Sequence, residues 1–336
     1  MISLAVKYRP KSFDEVVEQS ATKVILEQQL KSGEVKNAYL FCGSAGTGKT
    51  TCARIFANEI NNGAGTPIEL DAASNNSVDD VREIIQQSKT TSLNSEYKVF
   101  ILDEVHALSN QAWQAMLKVL EEPPAKSIFI MCTTDPQKIP KTILSRVQRY
   151  DFQRISTNKI YDRLSYILKE ETCQAEIEEN TEALHYIAKQ ANGGMRDAIT
   201  MLDKCLAYSI ELTLDNVTKA LGVPSYELLL RMFRAYFDYD KEERLKVIHE
   251  VYMSGYDIKQ FIKHFTNFIL DFSKWILNAK EYLDCPLTDE INSAFLEYEN
   301  IDTQEVLLAN LIKLQTEIKW DTNPLHRVEA WCITGE

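Results

Sequence analysis

Residues 43–50 read Gly-Ser-Ala-Gly-Thr-Gly-Lys-Thr, and this stretch decides the fold. It follows an apolar run, 38–42, that predicts a buried strand, and it precedes a helix-forming run, 51–60. Glycines let the backbone wrap a chain of phosphates, and the N–H groups at the start of the next helix point at the anion. The pattern sets the Lys49 ammonium to reach the β- and γ-phosphates and the Thr50 hydroxyl to ligate Mg²⁺. The strand–loop–helix context favours a nucleotide-binding loop over a chance glycine-rich turn.

A second motif lies at residues 99–104, which read Val-Phe-Ile-Leu-Asp-Glu. Its four apolar residues predict a central parallel strand that is buried on both faces. Asp103, at the end of that strand, is expected to hold Mg²⁺ directly or through water. Glu104 is expected to polarise a water against the γ-phosphate as a general base. Acids often end a strand, but after an intact phosphate loop the pair indicates hydrolysis as well as binding.

The composition indicates a cytoplasmic protein of two or three domains. The chain has 336 residues, of which 45% are hydrophobic, enough for sizeable cores. No apolar run approaches the roughly 20 residues of a membrane helix, and the N-terminus lacks a signal-peptide pattern. The seven cysteines are scattered without a Cys-x-x-Cys pair, which predicts buried thiols and no disulfide framework. We therefore expect no membrane partner.

The net charge of −12 is unevenly spread along the chain. Residues 1–154 balance acidic with basic side chains, so the remainder carries the whole excess of acid. A nucleic-acid contact would have to use local patches of the N-terminal part, because phosphates attract cations. The acidic C-terminal part is expected to contact protein.

The order of apolar runs predicts an α/β domain followed by all-α regions. Strands are expected at 39–42, 68–70, 99–102, 128–132 and 149–152, with helices such as 77–87 and 111–120 between them. Such alternation favours a parallel sheet with helices on both faces. After residue 156 only helical spacing remains, as in 159–170, 181–191 and 195–209. The predicted domains are 1–154, 155–214 and 215–336.

Further motifs give a family resemblance. They occupy residues 7–13 (Lys-Tyr-Arg-Pro-Lys-Ser-Phe), 69–74 (Glu-Leu-Asp-Ala-Ala-Ser), 103–106 (Asp-Glu-Val-His), 117–124 (Leu-Lys-Val-Leu-Glu-Glu-Pro-Pro), 133–138 (Thr-Thr-Asp-Pro-Gln-Lys) and 143–146 (Ile-Leu-Ser-Arg). With them, the chain resembles the bacterial DNA polymerase III gamma/tau subunits, the AAA+ ATPase motors of sliding-clamp loaders. The resemblance spans nearly the whole chain and is densest over 5–200. It implies that 1–154 is an AAA+ domain, 155–214 a helical lid and 215–336 a helical collar that forms oligomers.

The resemblance also implies site roles. Thr134 matches the sensor-1 residue that orients the attacking water, and Arg146 matches an arginine finger that acts in trans on a neighbouring subunit's ATP. Arg196 matches the sensor-2 arginine of the lid. The alternatives are a surface ion pair for Arg146 and a helix-surface pair with Asp197 for Arg196. The predicted catalytic residues are Lys49, Glu104, Thr134, Arg146 and Arg196. The predicted nucleotide-binding residues are Tyr8, Arg9, Pro10, Val17, Gly43, Ser44, Ala45, Gly46, Thr47, Gly48, Lys49, Thr50, Thr51 and Arg196.

The sequence departs from the family in three places. Bacterial members usually carry a four-cysteine zinc module after the phosphate-loop helix, but the interval between Cys52 and Cys132 has no cysteine. Since zinc needs about four soft or imidazole ligands, we expect no structural zinc. We also expect no tau-type extension, because the sequence ends where the resemblance places the end of the collar. Third, basic residues expected to face template DNA are replaced by 75–77 (Asn-Asn-Ser). The DNA-contact candidates are therefore Asn75, Asn76, Ser77, Arg82, Ser109, Asn110 and Gln111.

These observations predict the ATPase subunit of a clamp loader that uses ATP and Mg²⁺. Its expected partners are other loader subunits in a homo- or hetero-oligomer (a pentamer), a sliding clamp and primed-template DNA. Two alternatives remain open. One is another AAA+ machine on DNA, such as a branch-migration motor or a replication initiator. The other is a non-hydrolysing clamp-loader scaffold, which would be expected to have a broken phosphate loop or to lack Glu104.

Overall fold

The computed structural model describes residues 2–90, 92, 94–172, 181–300 and 303–335. Strands and helices alternate in its first half: α1 (Leu4–Lys7), α2 (Ser20–Ser32), β1 (Ala38–Cys42), α3 (Lys49–Ile60), β2 (Ile68–Asp71), α4 (Val78–Ser88), β3 (Lys98–Asp103), α5 (Asn110–Glu121), β4 (Ser127–Thr133), α6 (Lys141–Leu144) and β5 (Gln148–Asp151). Helices follow: α7 (Thr157–Thr172), α8 (Thr181–Gln190), α9 (Met195–Tyr208), α10 (Leu214–Leu221), α11 (Tyr226–Phe237), α12 (Lys241–Met253), α13 (Ile258–Ile276), α14 (Asp289–Glu297), α15 (Gln304–Ile318) and α16 (Pro324–Thr334). Contacts divide the chain into two compact units, Met1–Ala175 with Ile187–Asp203, and Glu176–Tyr186 with Lys204–Glu336.

The first unit is built on a parallel sheet. Within the described residues its five strands have the order β2-β3-β4-β1-β5, and every pairing is parallel. Cys42 at the end of β1 lies opposite Thr133 of β4, and Asp71 of β2 lies opposite Asp103 of β3. Because β1, β4 and β3 are parallel neighbours, their carboxyl ends lie side by side. The phosphate loop, the acidic pair and Thr134 therefore all lie at the carboxyl ends of the strands.

Alternating side chains cover the two faces of this sheet. On one face, Leu40, Phe100 and Phe129 pack with side chains of α4 and α5. On the other, Tyr39 and Phe41 pack with side chains of α2 and α3. All residues of β1 and β4 are buried, as expected for strands that have helices on both sides. The predicted parallel sheet, covered on both faces, is confirmed.

The second unit is all-helical where the structure describes it. A core of large aromatic rings fills it, centred on Phe233, whose ring centroid is 4.8 Å from that of Phe237 and 4.9 Å from that of Phe272. Arg244 is only 3% exposed. Its guanidinium donates to the backbone carbonyls of Ala235, Tyr236 and Cys332, the ends of α11 and α16. The Ala235 and Tyr236 carbonyls also accept the backbone N–H groups of Asp240 and Tyr239, so this buried cation adds a charged donor that joins the ends of α11 and α16.

Several sequence predictions can be compared directly with the structure. Each strand lies within two residues of its predicted bounds, and the predicted α-helical regions are helical. The three predicted domains stay a prediction, since the two contact-defined units divide the chain differently. The six described cysteines are buried, as predicted, and Cys173 lies outside the described residues. No helix in the described part of the chain is long and apolar enough to cross a membrane.

Candidate nucleotide site

A cavity of about 440 Å³ lies in the first unit, where the phosphate loop meets the acids of β3. Its size is in the range of small-molecule sites. The predicted residues that line it are Tyr8, Arg9, Pro10, Val17, Ala45, Gly46, Thr47, Gly48, Lys49, Thr50, Thr51, Asp103, Glu104 and Arg196. Residues not predicted from the sequence complete the lining: Ala5, Val16, Arg54, Ile155, Arg163, Met195, Asp197 and Ile199. Gly43, Ser44, Thr134 and Arg146 were predicted but do not line it.

The phosphate loop is held closely by its surroundings. Gly43 donates its N–H to the Thr133 carbonyl at 3.2 Å. A Cβ at residue 43 would lie 2.3 Å from the carbonyl oxygen of Phe152, so only glycine fits there. Gly46 adopts φ +73°, and its carbonyl accepts the backbone N–H of Met195 at 3.0 Å. The loop therefore contacts both the sheet and the start of α9.

Lys49 is almost completely buried, at 5% exposure. Its ammonium donates to the carbonyls of Gly43 and Ser44, each at 2.8 Å. Burial lowers its pKa, whereas the nearby carboxylates of Glu104 and Asp103 act in the opposite direction. A desolvated cation aimed along the loop attracts an anion more strongly than one in water does.

The acids of β3 face the end of this loop. The Thr50 hydroxyl donates to Asp103 Oδ2 at 2.7 Å. Glu104 has a left-handed backbone, with φ 50° and ψ 41°, a conformation that costs a non-glycine residue roughly 1 kcal/mol. The Thr134 hydroxyl donates to Glu104 Oε2 at 2.9 Å. Thr134 thus stands beside the predicted base although it lies outside the cavity lining.

Tyr8, Pro10 and Val17 contribute apolar surface to the lining of the cavity. The Tyr8 hydroxyl donates to Glu171 Oε1 at 2.6 Å, an oxygen that also accepts from the Lys7 ammonium at 2.6 Å. These two hydrogen bonds lower the pKa of Glu171, and burial followed by the contact with Glu171 raises the pKa of Tyr8. The segment before the phosphate loop is thereby fastened to α7.

Glu18 and Gln19 form a second link, between α2 and the segment after β5. Both have positive φ, 56° and 55°. The Gln19 amide accepts the Gln153 N–H at 3.1 Å and donates to the Gln153 carbonyl at 2.8 Å. The Glu18 carboxylate accepts the Ser156 N–H at 3.1 Å and the Ser156 hydroxyl at 2.6 Å. This link fixes the chain immediately before α7.

The two predicted arginines occupy different places. Arg196, in the first turn of α9, lines the cavity. Arg146 lies outside it: Nη2 is 2.6 Å from Glu121 Oε1, and Nη1 donates to the Thr142 carbonyl at 2.7 Å. Within this chain, Arg146 therefore forms a surface ion pair, the alternative to an arginine finger. An arginine finger would also lie outside the nucleotide site of its own chain, so the role in trans stays a prediction.

The predicted DNA contacts lie at the N-terminal ends of two neighbouring helices. The Ser77 hydroxyl caps α4 by accepting the Asp80 N–H at 3.2 Å, and Ser109 caps α5 by accepting the Ala112 N–H at 3.2 Å. The Ser109 N–H donates to the Asn76 carbonyl at 3.2 Å, which joins the two loops. The exposed Arg82 pairs with Asp79 at 2.9 Å. Asn75, Asn110 and Gln111 lie in the same two segments, so the candidates form one surface.

Three residues that support the site, His106, Gln19 and Glu171, were not predicted from the sequence. His106 is not among the predicted site residues, yet its Nδ1 is 3.2 Å from Glu104 Oε2. Its closeness to Glu104 in the sequence was the available signal. Gln19 and Glu171 gave no signal, since their partners are far along the chain. No group of three or more His, Cys, Asp or Glu side chains among the described residues could share a metal ion. The absence of zinc stays a prediction.

Comparison with known proteins identifies relatives over most of the chain. Residues 66–156 match the model for "DNA polymerase III, delta subunit", and residues 159–211 match "DNA polymerase III clamp loader subunit, ATPase lid domain". The tau subunit of Bacillus subtilis DNA polymerase III is 35% identical over 94% of this chain, which spans only 60% of that protein. The gamma subunit from Buchnera aphidicola (subspecies Schizaphis graminum) is 32% identical over 79% of this chain and 78% of the relative.

Solved structures support the fold alone. The RuvB Holliday junction branch migration motor of Thermotoga maritima superposes with a TM-score of 0.51 at 22% identity, over 69% of this chain and 80% of RuvB. The gamma relative, in contrast, matches in sequence over most of its own length. With the matches to two DNA polymerase III models, this confirms the resemblance seen in the motifs: the chain belongs to the DNA polymerase III gamma/tau family of clamp-loader subunits.

Proposed function

We propose that this chain is the ATP-hydrolysing subunit of a sliding-clamp loader. One observation carries the proposal: a single cavity is lined by Lys49, Thr50, Asp103, Glu104 and Arg196. These residues supply the cations, hydroxyl and carboxylates that phosphoryl transfer to water requires. A scaffold that does not hydrolyse ATP would not need Glu104 beside an intact phosphate loop.

The donor set near the loop fits Mg²⁺. The Thr50 hydroxyl and Asp103 carboxylate are 2.7 Å apart, and both present hard oxygen atoms, the ligands that Mg²⁺ prefers. When bound, Mg²⁺ would neutralise charge on the β- and γ-phosphate oxygens. Thr50 and Asp103 would hold it, and water would complete its coordination, as is usual for this ion.

Each remaining residue then has one task in hydrolysis. Lys49 would exchange its contacts with the Gly43 and Ser44 carbonyls for phosphate oxygens, since it already lies along the loop. Glu104 would accept a proton from the attacking water, and Thr134, which donates to its Oε2, would keep the carboxylate turned to the cavity. Arg196 would contribute positive charge from α9.

Arg146 would serve the site of a neighbouring subunit. It lies outside the cavity of its own chain and is one-third exposed, as an arginine finger supplied in trans requires. Such a finger can raise the hydrolysis rate by about 10³ to 10⁵. The arrangement requires head-to-tail contacts between subunits, which we propose form a homo- or hetero-pentamer through the helical collar, residues 215–336.

Clamp and DNA complete the proposed assembly. The helix N-termini at Ser77 and Ser109 present backbone N–H groups that attract phosphate, with Asn75, Asn76 and Asn110 alongside. Because Arg82 is the cation of this set and already pairs with Asp79, the affinity for primed template should depend only weakly on salt. ATP binding would hold an open sliding clamp on the primed template, and hydrolysis would release it. We expect this to occur in the cytoplasm and without structural zinc.

Steady-state hydrolysis of ATP tests the proposal. Wild-type protein, alone and with its partner subunits, is assayed with and without primed template. We expect DNA to stimulate hydrolysis, and Arg146→Ala protein to bind ATP but barely hydrolyse it. Mixing Arg146→Ala with Glu104→Gln protein should restore part of the activity, because a sound finger can then face a sound base. Hydrolysis indifferent to DNA and to Arg146 in the complete assembly would overturn the proposal.

A further inference from the structure

His106 lies against the proposed catalytic carboxylate. It belongs to the short 3-10 turn Val105–Ala107 that directly follows Glu104. Its Nδ1 is 3.2 Å from Glu104 Oε2 and 3.2 Å from Thr133 Oγ1. The ring therefore touches both the acid and the last residue of β4.

The contacts of this nitrogen determine which form of the ring fits. An ionised carboxylate only accepts hydrogen bonds, so an Nδ1 without a proton would set one lone pair against another. The Thr133 hydroxyl oxygen accepts the Asp135 N–H at 3.0 Å and has a second lone pair for another donor. With a proton on Nδ1, the ring can donate to Thr133 and attract Glu104 Oε2, which lies 3.2 Å away.

Two groups that can carry a proton then lie at one oxygen of Glu104. The Thr134 hydroxyl donates to Oε2 at 2.9 Å, and His106 Nδ1 approaches the same oxygen. A water that donates to this carboxylate would therefore do so at Oε1.

We propose that His106 is a positioning residue for hydrolysis. With its proton on Nδ1, it works with Thr134 to fix the carboxylate of Glu104 so that Oε1 faces the attacking water. This rests on the proposed role of Glu104 as the base. A positioned base contributes a factor of about 10² to 10⁴ to a rate. Loss of His106, one of the two groups that position Glu104, should therefore lower kcat about tenfold. ATP affinity should stay within about twofold, because His106 does not line the cavity.

A pair of amide substitutions tests the position of the donor. In asparagine the side-chain nitrogen is as far from Cβ as Nδ1 is in histidine, whereas in glutamine it is one bond farther away. We expect His106→Asn to keep kcat within about threefold, and His106→Gln and His106→Ala to lose about tenfold. The dissociation constant of a fluorescent ATP analogue and the melting temperature serve as controls. Equal losses in the Asn and Gln variants, or an unchanged kcat in His106→Ala, would overturn the proposal.

A second measurement does not depend on hydrolysis. Nitrogen-15 NMR of histidine-labelled protein at pH 8 distinguishes a ring with the proton on Nδ1 from one with the proton on Nε2. The chain has five histidines, so the spectrum of His106→Asn identifies the signal of His106. We expect the Nδ1–H form, and expect it to be lost in Thr133→Val with Glu104→Leu, which removes both acceptors. An Nε2–H form in the wild type would refute the role of His106 as a donor to Glu104, even if ATP is hydrolysed. A wild type that has the Nδ1–H form but does not hydrolyse ATP would refute the proposed function instead.

Discussion

Gly43→Ala should separate the phosphate loop from the sheet that supports it. Gly43 lies at the end of β1, where its missing side chain leaves room for the backbone of Phe152. An added Cβ would lie 2.3 Å from the Phe152 carbonyl oxygen and 2.9 Å from the Phe152 Cβ. Carbon and oxygen normally approach to about 3.3 Å. One of the two segments must therefore move by about 1 Å.

Neither segment moves easily. Phe152 is 4% exposed and packs in the core, and its N–H donates to the Cys42 carbonyl at 2.7 Å. Overpacking of this kind costs about 1 to 3 kcal/mol. If the loop takes up the shift, the same free energy appears in ATP binding as an affinity about 5 to 150 times lower.

Titration of a fluorescent ATP analogue, together with thermal melting, measures where that free energy goes. Gly33→Ala is the matched control: this glycine has φ +71°, and an added Cβ would have nothing within 4 Å. We expect Gly33→Ala to cost about 1 kcal/mol of stability and to leave ATP affinity unchanged. Wild-type affinity and melting temperature in Gly43→Ala would refute the account of how the loop is held.

Three further predictions concern other parts of the chain. Burial lowers the pKa of His264 from 6.5 to about 4. The unfolded chain therefore takes up this proton first, and stability falls as the pH drops through that window, by at most about 3 kcal/mol; urea unfolding of His264→Gln should lack this loss. Arg244→Leu should destabilise the second unit by about 3 kcal/mol, because three buried hydrogen bonds from a charged donor to the Ala235, Tyr236 and Cys332 carbonyls are lost; a urea-measured loss below about 1 kcal/mol would contradict this. Glu121→Gln should change hydrolysis less than about fivefold, since a half-exposed ion pair is worth under about 1 kcal/mol; a defect as severe as that of Arg146→Ala would be inconsistent with a finger acting in trans.

The local pattern of the sequence was enough for the sheet and the phosphate loop. Buried parallel strands such as β1 and β4 are continuous apolar runs, and the loop is specified by glycine and lysine at fixed spacing. Bounds were less accurate: α3 begins at Lys49, two residues before its predicted start, because the loop glycines lead directly into the helix. Glu104 and Thr134 come together because they directly follow β3 and β4, which pair.

Contacts between distant segments could not be predicted. The Glu18–Ser156 link joins residues 138 positions apart, and the Arg146–Glu121 pair spans 25. No periodicity in the sequence encodes which two loops meet. His106 is an intermediate case: it is close to Glu104 in sequence, but its contact depends on the left-handed turn at Glu104, and nothing in the residue type predicts a glutamate in that conformation.

A comparison of Glu104→Gln with the wild type tests the central claim most directly. Both proteins, in the complete assembly with Mg²⁺, are mixed with radiolabelled ATP, and binding and a single turnover are followed on the same samples. We expect equal ATP affinity and a rate about 10² to 10⁴ times lower in the variant, because only the proton acceptor is lost. Equal rates would contradict the account, since the carboxylate that ends β3 would then not be the base.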